Sequence, residues 1–460
     1  MSLFLEQLSR WIWGPPLIIL LLGGGLYFAI FSRLKPLRYF YHAVDLLRGR
    51  HDDEKAPGEL THFRALCTAL SGTVGMGNVA GVAVALTQGG PGAIFWMWVC
   101  ALFGMVTKFF TCTLAVMYRG KDTTGQEQGG PMYVITEGLG HNWKPLAQFF
   151  CLCGLFGCLP LLQSNQLTGI VREMFFEPME IFVGGEEQIL FGNILFGCLL
   201  ATLVGTVVIG GVSRVGRIAS KLVPAMVLLY GFSAMLIIGS NLGKLPNVVI
   251  SIFSDAFTGQ AIAGGALGVV IMTGIRRAAF SNEAGMGTEA MAHGAARTNE
   301  PTSEGLVAMI GPVIDTLVLC SLTALAILVT DVSLNQDLNQ DIRGILITKE
   351  AFAKGIPNNT WIGPSLLLVS VLFLSYSSML GFSYYVLKCG AFLFGEKSRY
   401  PILVFYLLSI VISSAVKLKD AINFLDIAFG LMAIPTIISA TILAPKVMRM
   451  ADAYFAKLRK

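Results

Sequence analysis

Charged residues are scarce in this sequence of 460 residues. Asp, Glu, Lys and Arg together make up 13% of it, whereas hydrophobic residues make up 54% and the mean hydropathy is +0.68. A soluble domain would carry about a quarter charged residues. The composition therefore excludes a soluble globular protein and indicates an integral membrane protein in contact with a lipid bilayer. The formal net charge of +5 is small and does not require a nucleic-acid partner.

Residues that bind metals or form disulfides are few or unfavourably placed. All five histidines lie in predicted loops, and most of the nine cysteines lie within apolar segments. An odd number of cysteines in such segments argues against a disulfide framework. The run CLCGLFGC at 151–158 lacks the spacing of a zinc site. We therefore expect buried thiols, no cofactor and no metal beyond a transported ion. An intramembrane enzyme is disfavoured, because no nucleophile stands out.

The long apolar runs are abundant. Eleven segments have the length and composition of a membrane-spanning helix: roughly 11–31, 65–88, 92–117, 146–171, 188–211, 222–242, 261–280, 306–330, 362–387, 401–416 and 421–445. The first begins without a basic leader or a small-residue cleavage site, so we interpret it as a retained helix.

Lysine and arginine are distributed unequally between the two sets of loops. If alternate loops share one side, that side carries 24 of the 33 basic residues, counting 276–305 as one loop. Loops rich in basic residues face the cytoplasm. The sequence therefore predicts an amino terminus outside and a carboxyl terminus in the cytoplasm.

The spans after the first divide into two sets of five. Because five is odd, the second set would be inserted upside down, an arrangement typical of transporters with inverted repeats. The predicted organisation is an extra helix and basic loop (1–64), a first repeat (65–243), a second repeat (244–445) and a basic tail (446–460). The repeat is inferred from the number of spans and not from residue-level similarity.

The first helix of each predicted repeat is interrupted by glycine. The runs are SGTVGMGN at 71–78 and AGGALG at 263–268. Glycine weakens a helix, and backbone groups released in a bilayer must find other partners. Helices broken near the bilayer midplane commonly form a solute site, in which amide groups hold a carboxylate and carbonyl groups hold a cation. Glycine used only for close helix packing is the alternative.

Few other polar groups lie within the spans. A hydroxyl cluster at Ser375, Ser377 and Ser378 offers hard oxygen atoms without net charge, which suit a sodium ion. Asp315 is an isolated carboxylate and is either functional or a tie between helices. Arg276 and Arg277 are expected in a solvated cytoplasmic turn with Glu283 and Glu289, or, as the less favoured alternative, in an ion-pair network that latches an inner gate.

Eight motifs in order resemble the alanine or glycine:cation symporter family, also called the sodium:alanine symporter family. They span nearly the whole chain: SGTVGMGNVAGVA (71–83), GGPGAIFWMW (89–98), GGPMY (129–133), QSN (163–165), GGVSRVGRIASKLVP (211–224), FSNEAGMGTEA (280–290), IDTLVLC (314–320) and SSMLGFSYY (377–385). The resemblance implies an all-α, leucine-transporter-like fold of two five-helix inverted repeats preceded by one extra helix. It also implies a prokaryotic inner membrane.

The same resemblance assigns roles to particular residues. It implies a sodium site formed by the carbonyls of Ser71, Val74 and Leu374 and the hydroxyls of Ser377 and Ser378. The residues it places around an amino acid are Thr73, Gly75, Gly77, Asn78, Gln163, Gly264, Gly265 and Gly268. In one position the chain departs from the family, since Thr111 replaces the acidic residue that usually follows the lysine corresponding to Lys108.

The function expected from these features is sodium-coupled uptake of a small neutral amino acid, alanine or glycine, without covalent chemistry. Three alternatives stay open: glutamine as the substrate, proton coupling through Asp315 on the same fold, and a channel. A channel would need more polar faces than these spans have.

Overall fold

The computed structural model describes residues 2–50, 53, 55–258, 267–334, 343–356, 361–416 and 418–458. These residues are almost entirely helical. A two-stranded antiparallel hairpin, β1 (Gly120–Lys121) and β2 (Glu127–Gln128), is the one sheet within the described ranges.

The amino-terminal part forms twelve α-helices: α1 (Ser2–Ile12), α2 (Pro15–Ser32), α3 (Lys35–Arg38), α4 (Phe40–Leu47), α5 (His62–Thr73), α6 (Met76–Gly89), α7 (Gly92–Met117), α8 (Pro131–Tyr133), α9 (Lys144–Gly157), α10 (Leu161–Val171), α11 (Glu186–Val208) and α12 (Gly211–Ser240). Two π-helical segments, Val134–Leu139 and Arg172–Phe176, extend α8 and α10. Single 3₁₀ turns lie at His141–Trp143 and Leu242–Lys244.

The carboxyl-terminal part forms ten more: α13 (Leu245–Thr258), α14 (Leu267–Asn282), α15 (Thr288–His293), α16 (Pro301–Ala308), α17 (Ile310–Pro312), α18 (Ser321–Val329), α19 (Arg343–Gly355), α20 (Ile362–Phe394), α21 (Arg399–Ala415) and α22 (Leu418–Leu458). A π-helical segment, Val313–Cys320, joins α17 to α18, and a 3₁₀ turn, Glu396–Ser398, precedes α21.

Within the described ranges, nine helical segments are long and apolar enough to cross a membrane, and the bent pair α5 and α6 makes ten. The remaining predicted span, 261–280, is partly outside these ranges, and its described portion is the 16-residue helix α14. The all-α membrane architecture expected from the sequence is therefore confirmed.

Local sequence explains where several helices begin. Pro15 and Pro16 open α2, where the missing amide hydrogens of proline cost nothing. Thr61 caps α5 by accepting a hydrogen bond from the Arg64 amide (3.3 Å). This cap sets the start of the helix that leads into SGTVGMGN.

The break predicted in the seventh span lies largely outside the described residues, and the structure shows a further break that the sequence did not predict. Within AGGALG, residues 263–266 are outside the described ranges, and Gly268 lies in the first turn of α14. The further break comes at 283–287, between α14 and α15, where Glu283, Gly285 and Gly287 have φ angles of 55°, 86° and 89°. Such angles suit glycine. The sequence analysis missed this break because Arg276 and Arg277 suggested a loop there.

The surroundings of the second break are buried. Glu283 and Glu289 are 2% and 0% exposed, and Arg276 lies within α14, where it pairs with Asp426 of α22 (2.5 Å). The expected solvated turn at 276–305 is therefore wrong. The reason is that the chain continues through α15 and reaches the end of the bundle only after His293.

Candidate functional site

The first broken helix bends by 44° between α5 and α6. The amide of Gly75 would bond to the carbonyl of Ser71 in a continuous helix, but it donates instead to Asn78 Oδ1 (2.9 Å). The Val74 amide still donates to the carbonyl of Leu70 (2.8 Å). The break thus releases the Ser71 carbonyl and starts a new helix at Met76.

Helix α20 packs directly against this break. A Cβ atom on Gly75 would lie 2.3 Å from Ser378 Oγ, and one on Gly381 would lie 2.6 Å from the amide nitrogen of Gly72. Glycine at both positions is therefore required for the close approach. The contact places the carboxyl end of α5 beside the serines of α20.

The atoms that the family resemblance assigns to sodium lie in these two facing elements. Ser378 Oγ donates to the Leu374 carbonyl (3.0 Å), and the break carries Ser71 and Val74. Ser377 Oγ is fully buried and has no hydrogen-bond partner within the described ranges. A buried hydroxyl without a partner is costly unless a ligand satisfies it. Neutral oxygen atoms of this kind fit a sodium ion.

A cavity of about 110 Å³ adjoins the break. This volume exceeds what one water molecule needs by several fold, so a small amino acid or several waters can enter it. Four predicted substrate residues line it: Thr73, Gly75, Gly77 and Gln163. Its apolar walls include Phe280, Phe382 and Phe429.

Two of the lining side chains present unsatisfied polar atoms. Thr73 Oγ1 and Gln163 Oε1 are buried, and neither has a hydrogen-bond partner in the described part of the chain. They come from two elements, the end of α5 and the start of α10. Because native proteins rarely leave such atoms unpaired, they are available to a polar solute or to water in the cavity.

Asn78 lies behind the break and not on the cavity. Its Oδ1 accepts the Gly75 amide, and its Nδ2 donates to the Asp315 carbonyl oxygen (3.1 Å) and to the Asp315 carboxylate. Asn78 is 1% exposed and is absent from the cavity wall. The structure therefore places Asn78 as a support for the break.

Asp315 is the centre of a buried hydrogen-bond network. Its Oδ2 accepts from Ser281 Oγ (2.6 Å) and Thr316 Oγ1 (2.8 Å), in addition to the contact with Asn78. Asp315 thereby links the first broken helix to α14 and to the π-helical segment Val313–Cys320. Of the two roles considered for this carboxylate, the geometry is that of a tie between helices.

Two glycines predicted at the substrate site are outside the described ranges, and a third does not line the cavity. Gly264 and Gly265 belong to 259–266, which the structure does not describe. Gly268 is exposed on α14 and is not part of the cavity wall. Among the candidates that the structure describes, those that line the cavity all belong to the first predicted repeat.

Several lining residues were not identified from the sequence. Gln166, Arg277, Glu283 and Asp426 also reach the cavity. For Gln166 a signal existed, because it follows Gln163 by three residues and so shares its helix face. The others could not be found, since their approach depends on how α14 and α22 pack.

Lys108 is buried in the middle of α7, and Thr111 donates a hydrogen bond to Glu289 Oε1 (3.1 Å). Thr111 lies about one helical turn after Lys108 on α7. Its hydroxyl stands at the position where members of the resembled family usually have a carboxylate. Glu289 supplies the acidic group to this region from α15.

A second buried charged cluster lies where α5, α15 and α16 meet. Glu304 accepts from His293 Nδ1 (2.5 Å) and also contacts His62 Nδ1, and all three side chains are buried. The expectation that every histidine lies in a solvated loop is wrong for these two. The described residues contain no group of three or more His, Cys, Asp or Glu side chains that could hold a metal.

Comparison with known proteins gives consistent results. The sequence profile described as the sodium:alanine symporter family matches residues 1–460. The sodium/alanine symporter AgcS of Methanococcus maripaludis is 34% identical over 460 residues, which cover 99% of this chain and 97% of AgcS. The probable sodium/glutamine symporter GlnT of Bacillus subtilis is 32% identical over 446 residues, which cover 96% and 88% of the two chains.

A solved structure of MhsT in complex with L-phenylalanine is similar in fold. The TM-score is 0.57 over 86% of this chain and 98% of MhsT, at 13% sequence identity. At this identity the similarity concerns the fold alone. It confirms the leucine-transporter-like architecture that the motifs implied.

Proposed function

Because this chain belongs to the sodium:alanine symporter family, we propose that it carries alanine or glycine into the cell together with sodium. Its family and relatives are sodium-coupled amino-acid transporters, not enzymes, and the chain is an integral membrane protein. The choice of alanine or glycine, the inward direction and the individual site residues are our proposal.

One observation carries this proposal. The break between α5 and α6 faces both the serines of α20 and a cavity whose wall holds the unpaired polar atoms Thr73 Oγ1 and Gln163 Oε1. One broken helix can therefore contact a cation on one side and an amino acid on the other. Occupation of the cation site would order the same backbone that holds the amino acid.

The amino acid would lie against the start of α6. The Gly75 amide is already bonded to Asn78, so the carboxylate would accept from the amides of Met76 and Gly77. These amides are at a helix amino terminus, which favours an anion. Gln163 Oε1 and Thr73 Oγ1 are acceptors for the ammonium group.

Sodium would bind the carbonyls of Ser71, Val74 and Leu374 and the hydroxyls of Ser377 and Ser378. Neutral oxygen ligands suit an alkali cation that must be released again. With the amino terminus outside and the carboxyl terminus in the cytoplasm, a potential negative inside drives sodium inward with about 2.3 kcal/mol per charge per 100 mV. Alternating access would follow from movement of one inverted repeat against the other.

Glutamine is a second candidate substrate, because the 32% identical relative GlnT is named a probable sodium/glutamine symporter. The cavity wall includes Gln166, Arg277 and Asp426 beside the apolar residues. These polar groups are compatible with a side-chain amide, whereas alanine and glycine need only the backbone contacts.

The test is uptake of labelled alanine, glycine and glutamine into proteoliposomes that contain the purified protein. An inward sodium gradient is compared with potassium, with and without a protonophore. Sodium-dependent accumulation of alanine or glycine is expected. Accumulation of glutamine alone would overturn the substrate. Accumulation that persists without sodium and collapses with the protonophore would overturn sodium coupling in favour of protons and Asp315, and uncoupled flux would indicate a channel.

A further inference from the structure

Helix α1 and Trp13, which follows it, contact residues of the cavity wall without lining the cavity themselves. We propose that residues 9–13 form part of a gate, in which Ser9 and Trp13 hold α14 and α22 together and so close the cavity at the end of the bundle where α1 lies. This inference rests on the proposed function, since a gate presupposes a solute that enters the cavity. Ser9 and Trp13 act as positioning residues, because neither lines the cavity itself.

An ion pair joins α14 to α22, and Ser9 of α1 bonds to both of its side chains. Arg276 Nη2 of α14 contacts Asp426 Oδ2 of α22 at 2.5 Å. Arg276 also donates to Ser9 Oγ (3.3 Å), which in turn donates to Asp426 Oδ2 (3.5 Å). The Trp13 indole donates to the Asp426 carbonyl oxygen (2.7 Å). Ser9 and Trp13 therefore both bond to Asp426, a residue of the cavity wall.

An aromatic stack runs from the same segment to the cavity. Trp13 stacks on Phe280 with ring centroids 4.7 Å apart, and Phe280 stacks on Phe429 at 5.8 Å. The Arg276 guanidinium lies 5.6 Å from the Trp13 ring centroid. Phe280, Phe429 and Asp426 all line the cavity. Separation of α14 from α22 would break the ion pair and the Phe280–Phe429 stack together.

The fit of Trp13 is close. The side chain is 2% exposed, and a Cβ atom on Gly430 would lie 3.1 Å from its Nε1. Trp11, two residues earlier on α1, is 74% exposed. The two tryptophans thus offer a matched pair in which only one touches the gate.

The experiment measures access to the cavity without requiring transport. Gly81 lines the cavity and has no atom within 4 Å of an added Cβ, so Gly81→Cys introduces a thiol there without a clash. The rate at which a water-soluble maleimide labels this thiol in the detergent-purified full chain is measured for native Trp13, Trp13→Phe, Trp13→Ala and Ser9→Ala. We expect labelling to be roughly tenfold faster with Trp13→Ala and moderately faster with Trp13→Phe and Ser9→Ala.

Trp11→Ala is the matched control and should leave the rate unchanged. The same variants without Gly81→Cys give the background from the nine native cysteines, of which Cys198 alone is exposed. A rise confined to the Gly81→Cys proteins supports the gate. Equal labelling rates for all variants would overturn it. So would an equal increase in labelling rate in the variants without Gly81→Cys, because that result would indicate a general loss of structure. If Trp13→Ala fails to fold, Trp13→Phe decides alone. Failure of wild-type uptake would instead overturn the proposed function.

Discussion

At the scale of single residues, hydrogen bonding separates the buried candidate side chains that lack a partner from those that already have one. Ser377 and Gln163 are buried with unpaired oxygen atoms, whereas both polar atoms of Asn78 are bonded within the protein. All three were candidates on sequence grounds. The structure therefore distinguishes contact with a solute from support of the backbone that makes the contact.

Ser378→Ala should weaken sodium binding. Loss of one buried oxygen ligand costs about 1–3 kcal/mol, which is roughly 5- to 150-fold in sodium affinity. The measurement is the sodium concentration that gives half-maximal uptake. Ser370→Ala is the matched control, because Ser370 lies two turns earlier on α20, is equally buried and bonds only to the Leu366 carbonyl (2.8 Å). Equal sodium dependence in both variants would contradict the assignment.

Gln163→Ala and Asn78→Ala should fail in different ways. Removing Gln163 takes away an unpaired acceptor, so KM for the amino acid should rise about tenfold while the unfolding temperature changes little. Removing Asn78 takes away the partner of the Gly75 amide and the donor to Asp315 Oδ1, so the unfolding temperature should fall as well. Thermal unfolding and uptake kinetics, measured on the same preparations, test this distinction. If only Gln163→Ala lowered the unfolding temperature, the roles assigned to Gln163 and Asn78 would be contradicted.

At the scale of elements, the broken helix depends on close packing against α20. Gly75→Ala would put a Cβ atom 2.3 Å from Ser378 Oγ, so the Ser378 side chain or one of the two helices must shift. Overpacking of this kind costs about 1–3 kcal/mol, and we expect loss of sodium-stimulated uptake. Gly239→Ala is the control: this glycine lies on α12, is not part of the cavity wall and has nothing within 4 Å of an added Cβ, so the variant should behave like the wild type. Because Ser378 Cβ would be 3.5 Å away, Ser378→Ala added to Gly75→Ala should restore the unfolding temperature but not sodium stimulation.

The junction of α5, α15 and α16 depends on Glu304. Glu304→Gln removes the charge between His62 and His293 in a fully buried position, and breaking such a group costs about 3–5 kcal/mol. Thermal unfolding should therefore show a marked loss of stability. Glu300→Gln is the control, since the ion pair of Glu300 with Lys457 is exposed and contributes about 0–1 kcal/mol. Similar small losses in both variants would show that the histidines do not depend on the charge.

At the scale of the whole molecule, cation binding and folding are linked. A ligand that binds only the folded state stabilises it by about 2.7 kcal/mol at a concentration one hundred times its Kd. Sodium, but not potassium, should therefore raise the unfolding temperature of the purified protein, and Ser378→Ala should remove the difference. Equal unfolding temperatures in the two salts at all concentrations would argue against a sodium site in the folded protein.

The sequence by itself determined the membrane class, the helical architecture and the first break. Apolar length and glycine content are local properties, and eight ordered motifs identified the family that the whole-chain match confirms. The tertiary structure decided what depends on distance between elements. It showed a break at 283–287 that the sequence did not predict, buried the histidines around Glu304 and joined Arg276 to Asp426 across the bundle. In the sequence, the charge of Arg276 indicates a solvated loop, because its partner Asp426 is 150 residues further along the chain. Only the tertiary structure brings the two side chains together.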